Sequence, residues 1–445
     1  MFLAVCLNTS DFPALVAARV PAGGIGLVSF FPQADAISTH ISVAESRRNM
    51  TFLVWGSLIT SPYLKAGVIG FTSCEEWKTG LKRFAGVKRT GSFQPKSLTN
   101  MEIIEKPTNT DHEKVVIGRD ATCGYHGIIA IHSTLLGPAV GGTRFWNYAS
   151  EDEALIDALR LSHGMTYKNA LAGLPLGGGK SIIIGDSRAS NREALLRAHG
   201  RFVDTLNGRY ITAEDVGTSP ADMEIMRRET QHVAGLLGGS GDPSPFTARG
   251  VFRAIQASSK FRWNRDDLSG VTIAIQGCGN VGYNLAKLLH QAGAKLIVTD
   301  VDNKNLSRVV DELSVETVHP SEIFSVPADI FAPCALGGVI NDRTIPELKV
   351  QIVAGAANNQ LLEERHGAML QERSILYAPD YVANAGGILN GGRELLGWTA
   401  EQSLAKVDQI YDTTLQVFES AQAQGITTNE AANRLAEDRL RGAGV

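Results

Sequence analysis

The segment Val271–Asp300, VTIAIQGCGNVGYNLAKLLHQAGAKLIVTD, decides the fold. Val271–Gln276 is a short, nearly continuous apolar run that reads as a buried strand. Gly277, Gly279 and Gly282 follow with GxGxxG spacing. Next comes a helix whose apolar face carries Val281, Leu285, Leu288, Leu289 and Ala292, ending at Gly293. A second strand, Lys295–Thr299, ends at an acid, Asp300, 23 residues after the first glycine.

Each part has a chemical reason. Glycines let the backbone turn tightly and approach a pyrophosphate, whose charge then sits on a helix N-terminus. An aspartate at the end of the second strand accepts hydrogen bonds from ribose hydroxyls and repels a 2′-phosphate. Strand, glycines, helix, strand and acid in that order predict a Rossmann domain that binds NAD rather than NADP.

A chain of 445 residues with 44% hydrophobic and 20% charged residues is long enough for two or three cores. Its net charge of −4 offers no basic surface for nucleic acid. Cys6, Cys74, Cys123, Cys278 and Cys334 show no CxxC or paired spacing, which suits reduced thiols in the cytoplasm and no metal site. The longest early uncharged runs, Val20–Ala34 and Met50–Leu64, fall short of the ~20 residues of a bilayer span and contain Pro and Gly, and the N-terminus lacks a basic secretory n-region, so no membrane partner is expected.

Residues 1–100 carry ten Lys/Arg against five Asp/Glu, whereas the remainder carries 32 against 41. Their apolar stretches follow no sustained period, and the expectation is an atypical, poorly ordered extension or translated upstream sequence. Regular patterning starts at Met101, with Lys114–Asp120 and Gly127–Ser133 reading as strands. Ser150 and Glu153 have capping-box spacing ahead of a helix with Leu155 and Leu159 on one face. GLLGGSGDPSP (Gly235–Pro245) is the clearest linker and a candidate hinge. The expected fold class is α/β with two domains, an N-terminal α/β domain (101–241), expected to be the substrate domain, and a Rossmann domain (242–380). Helices in 381–445 are expected to return to the substrate domain.

A second stretch, MTYKNALAGLPLGGGKSIIIGD (Met165–Asp186), sets Lys168 and Lys180 around a turn-rich run ending in three glycines. Its tail suggests a phosphate loop, but GxxxxGK[ST] needs a glycine where Leu174 stands, and Gly173 comes one residue too early. SIIIGD also reads as a strand where a phosphate loop opens a helix. A phosphate-loop NTPase fails on both grounds.

Taken one at a time, Lys168 and Lys180 read as surface charges and Asp215, in TAEDVGT, as a cap. Together, beside a nicotinamide domain, they suit an amino-acid substrate. One ammonium would clamp the α-carboxylate. The other, its pKa lowered by burial and by its neighbour's charge, would activate water, while the aspartate exchanges a proton with the amine. A non-catalytic NAD-binding module would keep the glycines and Asp300 but has no use for these three groups together.

Eight ordered motifs extend this reading: GPAVGGTRFW, MTYKNALAGLPLGGGKS, TAEDVGT, GSGDPSPFTARGV, GCGNVGY, APCALGGVIN, GAANNQL and APDYVANAGGI. From about Met101 onward the chain resembles the leucine/phenylalanine/valine branch of the glutamate dehydrogenase superfamily. The resemblance implies NAD-dependent oxidative deamination of an L-amino acid by a homo-oligomer, an octamer or a dimer. It implies Lys180 as the lysine that activates water and Asp215 as the acid that shuttles the amine proton. Lys168 would hold the carboxylate with backbone help from Gly141 and Gly142. The loop Gly277, Cys278, Gly279, Asn280, Val281, Gly282 and Tyr283 would hold the dinucleotide, with Thr247 and Asn358 near the nicotinamide.

Val140 stands where glutamate-specific relatives carry a lysine, and an isopropyl group there would leave a substrate carboxylate unpaired. An apolar side chain is therefore expected, with Met165, Ile388 and Gly391 also matching the pocket. Leucine enzymes typically show GGVINVADEL where this chain has GGILNGGREL (Gly386–Leu395). Gly391 in place of valine enlarges the pocket, so leucine and its branched relatives are the first expectation and phenylalanine or tryptophan the alternative.

Overall fold

The computed structural model describes residues 101–443 except position 108, and within the first hundred residues only the strands β1–β6. It divides into two compact units, Met1–Gln94 and Pro95–Val445. In the first, β1 (Phe2–Thr9) and β2 (Phe12–Arg19) form an antiparallel pair. There too, β3 (Gly26–Val28), β4 (Thr39–Ser46), β5 (Asn49–Gly56) and β6 (Ile69–Phe71) lie side by side, antiparallel, in chain order. The expectation of a poorly ordered extension falls mostly on positions outside the described residues.

The second unit holds two six-stranded sheets. The first is mixed. Its strands are β7 (Met101–Glu105), β8 (Lys114–Asp120), β9 (Tyr125–Ser133), β10 (Ala139–Trp146), β11 (Gly177–Ile184) and β12 (Tyr210–Glu214). They run in the order β12-β10-β11-β9-β8-β7. β10 lies parallel to both neighbours, and β11, β9, β8 and β7 continue antiparallel. Helix α1 (Glu151–Leu171) covers one face. Helix α2 (Arg192–Asp204) and α3 (Pro220–Arg227) lie against the other, where Phe202, Val203 and Met226 join the core under β9 and β10.

Helix α1 starts where its sequence says it should. The Ser150 hydroxyl accepts the Glu153 N–H at 3.1 Å, and three acids occupy the first turn, favourable at a helix N-terminus. Its inner stripe of small residues, Ala154, Ala158, Ser162 and Thr166, one per turn and all buried, is flanked by Leu155 and Leu159, which join the core between helix and sheet. That stripe meets the glycines of β11. A Cβ on Gly178 would sit 2.1 Å from the Thr166 nitrogen, and one on Gly179 would sit 2.7 Å from the Tyr210 ring. The glycine run therefore lies inside the strand, which begins at Gly177 rather than Ser181. Its bareness lets the helix and the Tyr210 ring pack closely on the strand.

The second sheet is wholly parallel, with strands β13 (Thr272–Gln276), β14 (Lys295–Thr299), β15 (Glu316–Thr317), β16 (Ile330–Pro333), β17 (Ile352–Val353) and β18 (Leu376–Tyr377). Its order, β15-β14-β13-β16-β17-β18, reverses direction between β13 and β16. That reversal opens a crevice at the strands' carboxyl ends, the Rossmann arrangement.

Helix α4 (Ser244–Trp263) packs on α5 (Asn280–Gln291), which follows β13. After α6 (Asn303–Leu313) and α7 (Arg365–Glu372) come the short α8 (Asp380–Ala383), then α9 (Gly386–Leu395), α10 (Ala400–Asp408), α11 (Ile410–Gln424) and α12 (Thr428–Ala443). The last packs on α1: Arg439 donates to the carbonyls of Ala170 and Leu171, and the Tyr167 hydroxyl donates to Glu437 at 3.1 Å. The C-terminus thus holds the end of α1 that carries Lys168. No helix among the described residues is long and apolar enough to cross a membrane.

Candidate active site

Lys180 lies in β11 and Asp215 directly follows β12, on opposite sides of β10, and their side chains meet across it. Lys180 Nζ donates to Asp215 Oδ2 at 2.7 Å. The intervening strand must be bare for this. A Cβ on Gly142 would lie 2.4 Å from the Glu214 carbonyl oxygen and 2.8 Å from the Asp215 Cβ, and one on Gly141 would lie 1.7 Å from the Gly179 carbonyl. A register shift between Gly178 and Gly179, against β9, sits just before Lys180, a place where a bulge re-aims a side chain. Gly141, Gly142, Lys180 and Asp215 therefore form one cluster.

Burial lowers the pKa of the Lys180 ammonium, Asp215 pulls it back up, and Arg144 lowers it further. The like charge beside Lys180 is thus Arg144; the expectation that Lys168 plays this part is corrected. Burial alone would raise the Asp215 carboxyl, but Lys180 and Arg144 outweigh it and hold it below the usual carboxylate range.

Lys168, in the last turn of α1, has a separate set of partners. Its Nζ donates to Asn384 Oδ1 at 2.7 Å, and Asn384 Nδ2 donates to Asn358 Oδ1 at 2.7 Å and to the Ala356 carbonyl at 3.1 Å. Burial pushes the Lys168 ammonium down to about 8, against the opposing pull of Asp380. One amide therefore links the substrate-side lysine to the expected nicotinamide-side residue Asn358. Sequence reasoning assigned no role to Asn384 or to Arg144, although both lie inside quoted motifs. The available signal was a polar residue in an otherwise small and apolar run.

The expected pocket residues come together in part. Val140, 1% exposed, and Ile388 belong to one apolar cluster with Leu174, Leu389 and Ile410. A Cβ on Gly391 would meet only Ile388 and Leu395, at 4.0 Å, so the position is roomy. Met165 is half-buried one turn before Lys168 and does not join that cluster. Thr247 packs against Gly387, where a Cβ would lie 2.9 Å from its hydroxyl. The linker is tied to α9 by the Gly235 and Leu236 N–H groups, which donate to Glu394, and by Arg393, which donates to the Ser240 carbonyl.

The three glycines of the GxGxxG loop serve three purposes. Gly277 has φ +98° with Ala335 close by, and Gly282 lies where a Cβ would come within 1.9 Å of the Gly277 carbonyl. A Cβ on Gly279 would meet nothing, so this backbone faces open space at the start of α5, whose N-terminus has no side-chain cap. The loop therefore fits a pyrophosphate. Asn280, Val281 and Tyr283 follow in the first turn. Asp300 accepts the Cys278 N–H at 2.6 Å and the Asp302 N–H at 2.7 Å. Arg308 stacks on Tyr283 at 4.1 Å and donates to the Cys278 carbonyl.

Two family models match the chain: the Glu/Leu/Phe/Val dehydrogenase dimerisation domain over residues 112–232, and Glutamate/Leucine/Phenylalanine/Valine dehydrogenase over 238–305 and 298–444. A leucine dehydrogenase from Thermoactinomyces intermedius is 55% identical over 76% of this chain and 94% of its own length. A phenylalanine dehydrogenase from Lysinibacillus sphaericus is 48% identical over 77% and 92%. The crystal structure of L-tryptophan dehydrogenase from Nostoc punctiforme superposes with a TM-score of 0.69 at 47% identity, covering 75% of this chain and 97% of that one. The chain belongs to the Glu/Leu/Phe/Val dehydrogenase family, oxidoreductases that act on the CH–NH2 group of amino acids.

Proposed function

We propose that the protein catalyses NAD-dependent oxidative deamination of a branched-chain L-amino acid, leucine foremost. The observation that carries this is the Lys180–Asp215 pair beside an apolar cluster containing Val140 and Ile388. A second carboxylate on the substrate would have no cation at Val140, a cost of several kcal/mol.

Lys168 holds the α-carboxylate, and Asn384 orients its ammonium. The Gly277–Tyr283 loop would hold NAD, which would supply the acceptor for the hydride on Cα. Asp215 takes the amine proton that must leave as the imino acid forms. Lys180, neutral through burial, removes a proton from water as the oxygen attacks the imino carbon. Asp215 then returns a proton to the amine, and the C–N bond breaks as the C=O forms. The hydroxyl proton leaves with ammonia as ammonium, and Lys180 releases its proton to solvent. The sum is amino acid, NAD+ and water giving the 2-oxo acid, ammonium, NADH and a proton.

NAD is favoured over NADP because the Asp300 carboxylate ends β14 beside the loop, and the one nearby guanidinium described, Arg308, is engaged on Tyr283 and the loop carbonyls. Self-association is supported by the dimerisation-domain match and by Trp146, Ile156 and Val216, all more than half or half exposed. Comparing kcat/KM for leucine, valine, phenylalanine, tryptophan and glutamate, each with NAD and NADP, tests the reading. Leucine with NAD should rank first. An aromatic preference would support the Gly391 alternative, and a glutamate or NADP preference would refute the argument from Val140 or Asp300.

A further inference from the structure

Arg144 stands two residues after Gly142 on β10 and shares the catalytic pair's carboxylate. Its Nε donates to Asp215 Oδ2 at 2.9 Å, the same oxygen that Lys180 Nζ reaches at 2.7 Å. Its Nη1 donates to Asp157 Oδ2 at 2.8 Å, which also accepts the Tyr148 hydroxyl at 2.6 Å. Arg160 closes the series, 3.2 Å from Asp157 Oδ1. Charges therefore alternate from Lys180 to Asp215, Arg144, Asp157 and Arg160. The outer end opens on a surface cavity of about 520 Å³.

This order matters for the proton chemistry. If Lys180 and Asp215 were an isolated pair, neutralising the lysine would strand a buried carboxylate, which is costly. An arginine cannot lose its proton and so remains as the counter-ion. We propose that Arg144 is a positioning residue, anchored by Asp157 and Tyr148, that keeps Asp215 ionised and aimed while Lys180 gives up its proton. This rests on the roles assigned above to Lys180 and Asp215.

The other charged groups nearby are Glu214 on β12, Glu153 at the cavity, and the Lys168–Asp380 pair. Burial raises the Glu214 carboxyl, and none of these touches the shared oxygen. The two ends of the network act on Lys180 with opposite signs: the Arg144 charge favours its neutral form, whereas the Asp157 charge favours its protonated form.

The test is the pH profile of kcat for deamination in the full-length enzyme with saturating leucine and NAD, under chemistry-limited conditions. Arg144→Met should move the acid limb up by about one pH unit and lower kcat. Asp157→Asn should move it down by a smaller amount, because it removes the carboxylate that opposes Arg144. Arg144→Lys keeps the charge but not the two-armed geometry, so the limb should stay near its wild-type position while kcat falls. If Arg144→Met does not fold, the opposite-sign shift in Asp157→Asn and the retained limb in Arg144→Lys still decide the matter. A normal wild-type limb that Arg144→Met and Asp157→Asn leave in place or move the wrong way, or that Arg144→Lys displaces as far as Arg144→Met does, overturns this proposal alone. A wild-type profile with no limb removes the Lys180 reading and this inference with it.

Discussion

Replacing Gly142 with alanine tests whether the active-site geometry depends on a bare central strand. The added methyl would lie 2.4 Å from the Glu214 carbonyl oxygen and 2.8 Å from the Asp215 Cβ, where ordinary contact begins near 3.4 Å. Both obstacles are parts of the strand end that carries Asp215, not flexible side-chain tips, so β12 must retreat by about 1 Å. That is enough to stretch the 2.7 Å Lys180–Asp215 contact beyond hydrogen-bonding range. A displacement of about 1 Å in a catalytic group costs roughly 100-fold in rate, and overpacking costs about 1–3 kcal/mol of stability. Gly142→Ala should therefore lose about two orders of magnitude in kcat while still binding NAD. Gly279→Ala makes the contrasting case, because its Cβ meets nothing within the protein. It should fold normally and instead weaken NAD binding by crowding the loop. Steady-state kinetics, NAD titration by fluorescence and thermal unfolding read all three quantities. A Gly142→Ala enzyme with kcat within threefold of wild type would refute the claim that the glycine exists to let Lys180 and Asp215 meet.

Lys180→Ala should lower kcat by about three orders of magnitude or more with NAD affinity nearly unchanged, as measured by cofactor titration beside turnover. In the role proposed for it, Lys168 grips a carboxylate only while protonated, and burial pushes its pKa down to about 8, so KM for the amino acid should climb above that pH even where kcat still rises with loss of the Lys180 proton. A KM independent of pH between about 7 and 10 would exclude Lys168 as the clamp. His199, buried against Tyr125, Thr143 and Ser181, has its pKa pushed down to about 3 by burial. The unfolded chain then binds a proton that the folded state refuses, so this contribution is present above pH about 6.5 and is lost as pH falls toward 3. His199→Gln should be less stable at neutral pH yet lose less stability between pH 6.5 and 4, and an unchanged slope of melting temperature against pH would refute the assignment.

The Rossmann half was legible because its information is local. A buried strand, a glycine loop, a 3.6-period helix and a second strand ending in Asp300 lie within thirty residues, and each is recognisable from its own period. The start of α1 was legible for the same reason, since the Ser150–Glu153 cap is formed by residues three apart. Lys168, Lys180 and Asp215 could be singled out by chemical type and by family resemblance, but not their partners. Lys168 reaches Asn384, 216 positions away, and Arg144 reaches Asp215, 71 away. No period encodes such contacts. Likewise, that Gly177–Gly179 belong to packing became evident only once Thr166, Tyr210 and the strands beside β11 surrounded them. The sequence by itself determined the strands and helices with a clear local signal, such as Val271–Gln276, the helix after Gly279 and the helix capped by Ser150, because backbone sterics and apolar periodicity act over a few residues. Tertiary structure decided which charges meet across β10 and which pKa values they acquire, because burial and Coulomb interactions depend on distance in space rather than along the chain.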